Sequence, residues 1–230
     1  LGRSYKQKTQ VNELILSRLP ATLLLMVGTI FFELLIGLPA GIFSATRRGQ
    51  SSDNWIMALS FAGVSVPQFV LGLLLLYVFA HILPIFPLGG YGSIRHLILP
   101  ALTLGISGGG WYSRMMRSSM VDVLRQDFIR TARSKGLTEW TVVLVHALRN
   151  AILPVTAMVG LDIGIFMAGA VVVESVYGWP GIGQLAWQAI QMVDIPIIMG
   201  VTLVAAIGIV LGNLLADLVI PFIDPRVFLR

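Results

Sequence analysis

The chain has 230 residues, 56% of them hydrophobic and 12% charged, with a mean hydropathy of +0.86 and a formal net charge of +5 at pH 7. A soluble domain carries about 25% charged residues, so this composition excludes a single water-covered globule and requires lipid to cover part of the apolar surface. There is no cysteine, which excludes a disulfide framework and a thiolate metal site. The basic residues cluster beside apolar runs, which assigns the high pI to a membrane origin rather than to nucleic acid.

In chain order, residues 1–18 read as an extracytoplasmic segment. Residues 19–230 form one all-α, polytopic membrane domain. A spanning helix needs about 20 mostly apolar residues, and five segments qualify: 19–46, 55–83, 96–116, 151–173 and 197–223. Gly and Pro recur inside them (Pro39, Pro67, Pro100, Gly164, Gly212), which membrane helices tolerate when neighbours satisfy the backbone. Residues 120–150 form a long basic loop and residues 174–196 an uncharged-to-acidic one.

Orientation follows from the Lys and Arg distribution. One side collects Arg47, Arg48, Arg114, Arg117, Arg125, Arg130, Arg133, Lys135, Arg149, Arg226 and Arg230. The other collects Arg3, Lys6, Lys8, Arg18 and Arg95. The richer side is cytoplasmic by the positive-inside rule, which places the 120–150 loop and the C-terminus inside. Four basic residues directly before the first span fit this poorly, and the chain starts at Leu1. The expectation is that one more spanning helix precedes it in the intact protein.

Within the basic loop, Met120 to Lys135 reads as a helix continuing out of the third span, its last turn carrying cations that suit the negative end of the helix dipole. Gly136 fits a left-handed C-terminal cap, and Thr138 caps a second helix with Glu139 in its first turn. That helix has an apolar stripe at Trp140, Val143, Leu144, Ala147 and Leu148, and Pro154 suits the first turns of the span that follows. Two readings remain open from the residues: a lever tied by sharp turns to two spans, or a helix resting in the lipid interface.

The stretches "RTARSKG" and "HALRNAILP" together resemble the cytoplasmic EAA loop of binding-protein-dependent permeases of ATP-binding-cassette importers. They are most similar to the B-type subunit of the dipeptide, oligopeptide and nickel branch. "SRLPATL", "PLGGYGSIRHLILPALTLG", "VVVESVYGWPGIGQL" and "DPRV" extend the resemblance over nearly the whole chain. It implies a type I importer fold with six spans in the intact family, the five present here, and a cytoplasmic coupling helix. It implies transport of peptides or related solutes, nickel complexes or glutathione among them, across a bacterial or archaeal cytoplasmic (inner) membrane. The implied partners are a second permease subunit of C type, two cytoplasmic ATPases and an extracytoplasmic substrate-binding protein.

By the same resemblance, Ala132, Arg133, Gly136, Leu137, His146, Leu148 and Arg149 form the ATPase-coupling set. Trp179, Pro180 and Gly181 form the docking site for the binding protein or the outer gate. The general family pattern expects Ile-x-Leu-Pro where this chain has His146, Ala147, Leu148 and Arg149; this departure is itself typical of the peptide-type B subunits.

No G-x-x-x-x-G-K-[ST] phosphate loop occurs in the sequence. No cofactor is expected on this chain, and ATP and Mg belong to separate ATPase subunits. The "GWPGIG" stretch reads as a tight extracytoplasmic turn, with Trp179 either anchoring at the membrane interface or meeting the binding protein. Glu33, Asp162 and Asp217 lie in apolar runs and Glu174 at a span end. A charge at mid-bilayer costs about 2.5–3.5 kcal/mol on insertion scales, so each faces protein or water, is protonated, or is paired. Asp162 and Glu174 are candidates for the translocation path; interhelical hydrogen bonding is the alternative.

Two rival classes use the same residues. A proton-coupled secondary transporter would run on the intramembrane carboxylates but leaves the helix–Gly–helix loop unexplained. An intramembrane serine protease would use Ser107 in "GISG", but such a nucleophile needs a nearby base, and His81, His96 and His146 all fall outside the last two spans. Ser107, followed by Gly108, Gly109 and Gly110, reads better as a helix-packing or flexible site.

Overall fold

The computed structural model describes residues 1–223; "DPRV", Arg226 and Arg230 lie outside them. Among the described residues the regular structure is helical, apart from one isolated antiparallel bridge between Arg3 and Gln10. The helices are α1 (Val11–Thr46), α2 (Ser51–Ser65), α3 (Gln68–Leu76, continued by a π-helical stretch Tyr77–Ile82), α4 (Ile94–Val123), α5 (Asp127–Ser134), α6 (Glu139–Thr141), α7 (Leu148–Ala151), α8 (Leu153–Met167), α9 (Val171–Tyr177), α10 (Ile182–Gln191) and α11 (Ile195–Ile223). Between α6 and α7 the chain winds as a π-helix, Val142–Ala147.

The chain divides into two compact units. Among the described residues the first comprises 1–32, 66–105 and 161–213, and the second comprises 33–65, 106–160 and 214–223. The first unit has two apolar cores. One gathers Ala21, Leu25, Leu97, Leu99, Leu104, Val173, Tyr177 and Trp179; the other gathers Val11, Ile15, Ile182, Leu185, Ile197 and Val201. The second unit has one core, built from Tyr112, Met116 and Met120 of α4, Ile129 and Ala132 of α5, and Val142, Val143, Ala147, Ala151 and Val155.

The five predicted spans map onto this chain with changes that have local causes. α1 begins eight residues before the predicted 19, so part of the expected extracytoplasmic segment is helical. Residues ahead of α1 fold back as an irregular segment pinned to Asp194, whose carboxylate accepts from the Ser4 hydroxyl, the Tyr5 N–H (3.3 Å) and the Lys6 N–H (3.1 Å). The second span is interrupted between α2 and α3. Pro67 stands at the N-cap of α3 with extended ψ (135°); it has no N–H to give to α2, and it disfavours the helical conformation at the residue before it.

α1 and α11 are each long and apolar enough to cross a membrane. α2 with α3, and α6–α7 with α8, qualify as interrupted pairs. α8 closes earlier than predicted, at Met167, where Gly169 takes φ +93°. The predicted loop 174–196 is itself largely helical, as α10 with most of α9.

α4 is continuous over the third predicted span but does not meet the apolarity of a lipid-covered helix. Its burial explains this. Leu99, Ala101, Thr103, Leu104, Tyr112, Ser113, Met116 and Met120 are all buried. In the second unit Gly37 and Gly41 of α1 lie so close to α4 that a methyl on either would strike Tyr112 or Met116. Small residues allow this backbone approach, and a helix sheathed by protein has no need to be apolar all round.

Candidate functional site

The coupling-loop candidates lie in the second unit. α4 ends at Val123 rather than running on to Lys135. Gln126 is extended (φ −73°, ψ 153°) and starts α5, whose apolar face is buried through Ile129 and Ala132. Ala132 is therefore a core residue of the loop and not part of its surface. α5 ends at a turn in which Gly136 has φ +76°, with the Gly136 N–H donating to the Arg133 carbonyl at 3.0 Å. Nothing lies within 4 Å of the position a Cβ would take there. Backbone conformation, not crowding, selects glycine.

Thr138 then caps α6, its hydroxyl accepting from the Thr141 N–H. Arg133 folds back across the turn onto Glu139, with Nε–Oε2 at 3.0 Å and Nη2–Oε1 at 2.5 Å. This exposed fork bridges α5 and α6 across the glycine.

The stripe expected at Trp140, Val143, Leu144, Ala147 and Leu148 faces the core at all of these positions but Trp140. Val142, Val143 and Ala147 are buried and Leu144 and Leu148 pack against the same core, but Trp140 is 74% exposed. The π-helical winding of Val142–Ala147 is the reason: its turn is wider than the 3.6 residues on which the stripe was drawn. The loop thus presents Leu137 (40% exposed), Trp140 and Arg149 outward, with His146 half-buried. The segment Glu139–Ala151 meets α8 at a 49° bend.

A second polar centre of this unit was not found from sequence. Asp53, fully buried in the first turn of α2, receives a bidentate fork from Arg117 of α4, Nε–Oδ1 2.7 Å and Nη2–Oδ2 2.6 Å. The Ser44 hydroxyl and the Gly49 N–H (2.9 Å) complete its shell. This ties the end of α1, the start of α2 and α4 together. The available signal was an acidic residue just inside a helix start on the arginine-rich side of the sequence. Glu33 is also buried here, against Gly108, where a side chain would collide with its carboxylate.

The outer-turn candidates lie in the first unit. Gly178 (φ +60°) ends α9, and the Trp179 N–H closes back on the Glu174 carbonyl at 2.8 Å, a Schellman-type cap. Trp179 is expected at a membrane interface or on a docking surface; instead it is 0% exposed. Its Nε1 donates to the Ala21 carbonyl at 2.9 Å, and its ring meets Tyr91 edge-on at 5.0 Å. Pro180 is half-buried and Gly181 buried.

Glu174 is likewise 0% exposed. Its Oε2 accepts from the Gln184 N–H at 2.7 Å in the first turn of α10, while Gly181 and Gly183 leave room for the carboxyl group. Burial pushes this carboxyl above the ordinary range, against the pull of backbone hydrogen bonds led by Gln184. Arg18 Nη1 reaches the Gln184 side chain at 3.2 Å. Glu174 therefore acts as an internal cap of α10. Asp162 is half-buried on α8, and Asp217 is exposed on α11. No group of three or more His, Cys, Asp or Glu suited to a metal ion occurs among the described residues.

Residues 37–229 match the family described as "Binding-protein-dependent transport system inner membrane component". The oligopeptide transport system permease protein AppB of Bacillus subtilis (strain 168) is 43% identical over 237 residues, covering 98% of this chain and 75% of that protein. The glutathione transport system permease protein GsiC of Escherichia coli O6:H1 is 40% identical over 227 residues, covering 99% and 74%. The fold is similar to a chain of the MetNI methionine ABC transporter in an inward-facing conformation, with TM-score 0.76 and 18% identity over 92% of this chain and 96% of that one. The all-helical architecture is that of a type I importer permease, and the chain belongs to the family of binding-protein-dependent transport system inner membrane components: it is a multi-pass permease subunit of an ATP-binding-cassette importer.

Proposed function

We propose that this chain forms half of the membrane pathway of an importer for peptides or similar small solutes, glutathione among them, and takes its power stroke through the turn at Gly136. The carrying observation is the outward presentation of Leu137 and Trp140 on a glycine turn bridged by the Arg133–Glu139 fork. An exposed Leu and Trp beside a fixed glycine turn suit insertion into a groove of a separate ATPase. Burying one Leu contributes roughly 1.5–3 kcal/mol, while a rim ion pair such as one made by Arg149 contributes under about 1 kcal/mol. The turn is joined to α4 through α5 and to α8 through the 49° bend, so a displacement at Leu137 is delivered to both. The second permease subunit is a C-type paralogue, with two ATPases and one binding protein completing the complex.

The orientation follows the charge distribution. Among the described residues the second unit holds Arg47, Arg48, Arg114, Arg117, Arg125, Arg130, Arg133, Lys135 and Arg149, and the first holds Arg3, Lys6, Lys8, Arg18 and Arg95. This supports a cytoplasmic coupling loop and a cytoplasmic C-terminus. The burial of Trp179 and Glu174 supports a scaffolding role for the outer turn, with the half-buried Pro180 left as the candidate docking contact.

The test is co-purification of the intact complex with ATPase activity read in the same sample, wild type against Leu137→Ala and Leu137→Asp. Loss of the ATPase, or of coupling, in the variants is expected. An unchanged complex with unchanged transport would make the loop an interfacial helix only.

A further inference from the structure

A groove of about 570 Å³ opens in the first unit, between the irregular segment ahead of α1 and the start of α11. That size falls within the roughly 300–1,000 Å³ usual for small-molecule sites. Its walls are apolar, with Leu1 and Tyr5 on one side and Ile195, Pro196, Met199 and Leu203 on the other; the one charged residue lining it is Arg3. Gly200 sets the floor, because a methyl there would strike Val11 of α1, and α1 and α11 cross in contact beneath the groove.

The segment that carries Arg3 is held on both sides. The Gly2 carbonyl accepts from the Val11 N–H at 3.1 Å, and the Ser4 N–H donates to the Thr9 carbonyl at 3.0 Å. Ser4, Tyr5 and Lys6 are tied in turn to Asp194. Asp194 is buried, and its oxygens are taken by these donors, so it does not offer its charge to Arg3. None of the ion pairs among the described residues includes Arg3, Lys6 or Lys8. Three cations within six residues thus stand at the start of α11 without a carboxylate partner.

α11 is long and apolar enough to cross a membrane, so its first turns lie where headgroups meet acyl chains. Met199 (67% exposed) and Leu203 (49% exposed) carry the apolar wall of the groove onto the open face of the helix, and the exposed Tyr5 suits the interface. A small soluble anion would meet the cation and leave the apolar walls uncovered. A zwitterionic lipid would cover the walls but bring its own cation beside the phosphate. An anionic phospholipid satisfies both, with its phosphate on a guanidinium fork and a second cation-rich contact from the neighbouring lysines.

We propose that this groove is a binding site for an anionic phospholipid, its phosphate held by Arg3 and one acyl chain laid along Met199 and Leu203. The site is independent of which solute the importer carries.

The test uses the intact complex in lipid nanodiscs. The chain has no cysteine, so Leu203→Cys carries a bimane label at the groove and Val210→Cys carries one on the open face of α11 outside it; the unsubstituted complex, treated alike, gives the background from other subunits. Quenching is measured with brominated phosphatidylglycerol and with brominated phosphatidylcholine of the same acyl chains. At Leu203→Cys the phosphatidylglycerol is expected to quench at about fivefold lower mole fraction, the effect of one cation near anionic lipid. The two lipids should quench alike at Val210→Cys. Arg3→Gln should abolish the preference at Leu203→Cys, and Arg3→Lys should retain most of it. Equal quenching by the two lipids at Leu203→Cys would overturn the proposal, as would a preference that survives Arg3→Gln. An equal preference at Val210→Cys would also overturn it, because general attraction of anionic lipid would then account for the result. No quenching by either lipid at Leu203→Cys, with normal quenching at Val210→Cys, would overturn it too, since protein and not lipid would then fill the groove.

Discussion

Substituting Gly136 isolates backbone geometry from contact in the coupling loop. The residue has φ +76°, and nothing lies within 4 Å of a would-be Cβ, so Gly136→Ala introduces no clash, only left-handed strain. That strain is about 1–2 kcal/mol for an L-residue, which corresponds to roughly a 5- to 30-fold loss in the population of the turn. Asn tolerates this region better than Ala, so Gly136→Asn is expected to retain most of the function. Gly49 offers a control for general strain: its φ is +81°, again with nothing within 4 Å, but it lies in the turn between α1 and α2, where its N–H bonds Asp53, so a change there is read in Tm before coupling. The assay is binding-protein-dependent uptake in proteoliposomes, expressed per ATP hydrolysed. The expected order is wild type, then Gly136→Asn, then Gly136→Ala about tenfold down, with Gly49→Ala near wild type. Equal losses for Gly49→Ala and Gly136→Ala would mean that general strain, not the coupling turn, is being read. Normal coupling in Gly136→Ala would refute the idea that ATPase docking needs this turn.

Asp53→Asn leaves the Arg117 guanidinium without its counter-charge; breaking a buried pair costs about 3–5 kcal/mol, and because Arg117 retains some solvent access the lower end is expected, read as a fall in the Tm of the purified complex. Arg117→Lys keeps the charge but loses the fork, and should fall between the two. Trp179→Phe keeps the ring and removes the bond from Nε1 to the Ala21 carbonyl, a loss of about 1 kcal/mol; affinity for the binding protein should not change, and a weakened affinity at constant Tm would show that the indole leaves its pocket to make contact. Burial alone would raise the Asp194 carboxyl, but hydrogen bonds from Ser4, Lys6, Tyr5 and Ile197 outweigh it and hold it below the ordinary range. Its stabilisation is therefore full above the unfolded-state value of about 4 and is lost as pH falls below it. Hydrogen-exchange protection factors at Tyr5 and Lys6 should drop as pH is lowered from 6 to 3, with Asp194→Asn already unprotected at pH 6.

The helix–glycine–helix structure of the 120–150 loop was legible because its determinants are local. A glycine after a cationic helix end, and a Thr capping the next helix, each act within a few residues, and the structure has both where the sequence implied them. The same locality explains the errors. A stripe drawn at 3.6 residues assumed α-helical winding through Val142–Ala147, and the π-helical turn there moved Trp140 outward and Val142 inward. Nothing in the local sequence announced that change of pitch. Trp179 differs for another reason: its partner Ala21 is set by tertiary packing, and a residue that would suit a membrane interface can equally fill a core once a glycine turn aims it inward, while Glu174 takes the structural hydrogen-bonding role left open for it. Asp53 and Arg117 were invisible as a pair because 64 residues separate them.

The third predicted span, α4, is a continuous helix whose composition has a tertiary cause. Hydropathy measures how well a helix is suited to lipid, and α4 is largely covered by protein. In the first unit Gly28 of α1 packs on Ala101 and Leu97 of α4, and a methyl on Gly105 would strike Phe32; in the second, Gly108 lies against Glu33, Gly109 against Ile36 and Gly110 against Ser60. The run of glycines beside Ser107 is thus accounted for by close packing, each member under a different neighbour, and neither flexibility nor a nucleophile is needed to explain it. A helix held this tightly moves with what surrounds it. Arg117 clasps α1 and α2 near one end of it, and α5 follows it after Val123. A shift delivered through α5 would reach the ends of α1 and α2 through Arg117, so the least apolar of the long helices is the one that joins the 120–150 loop to its neighbours.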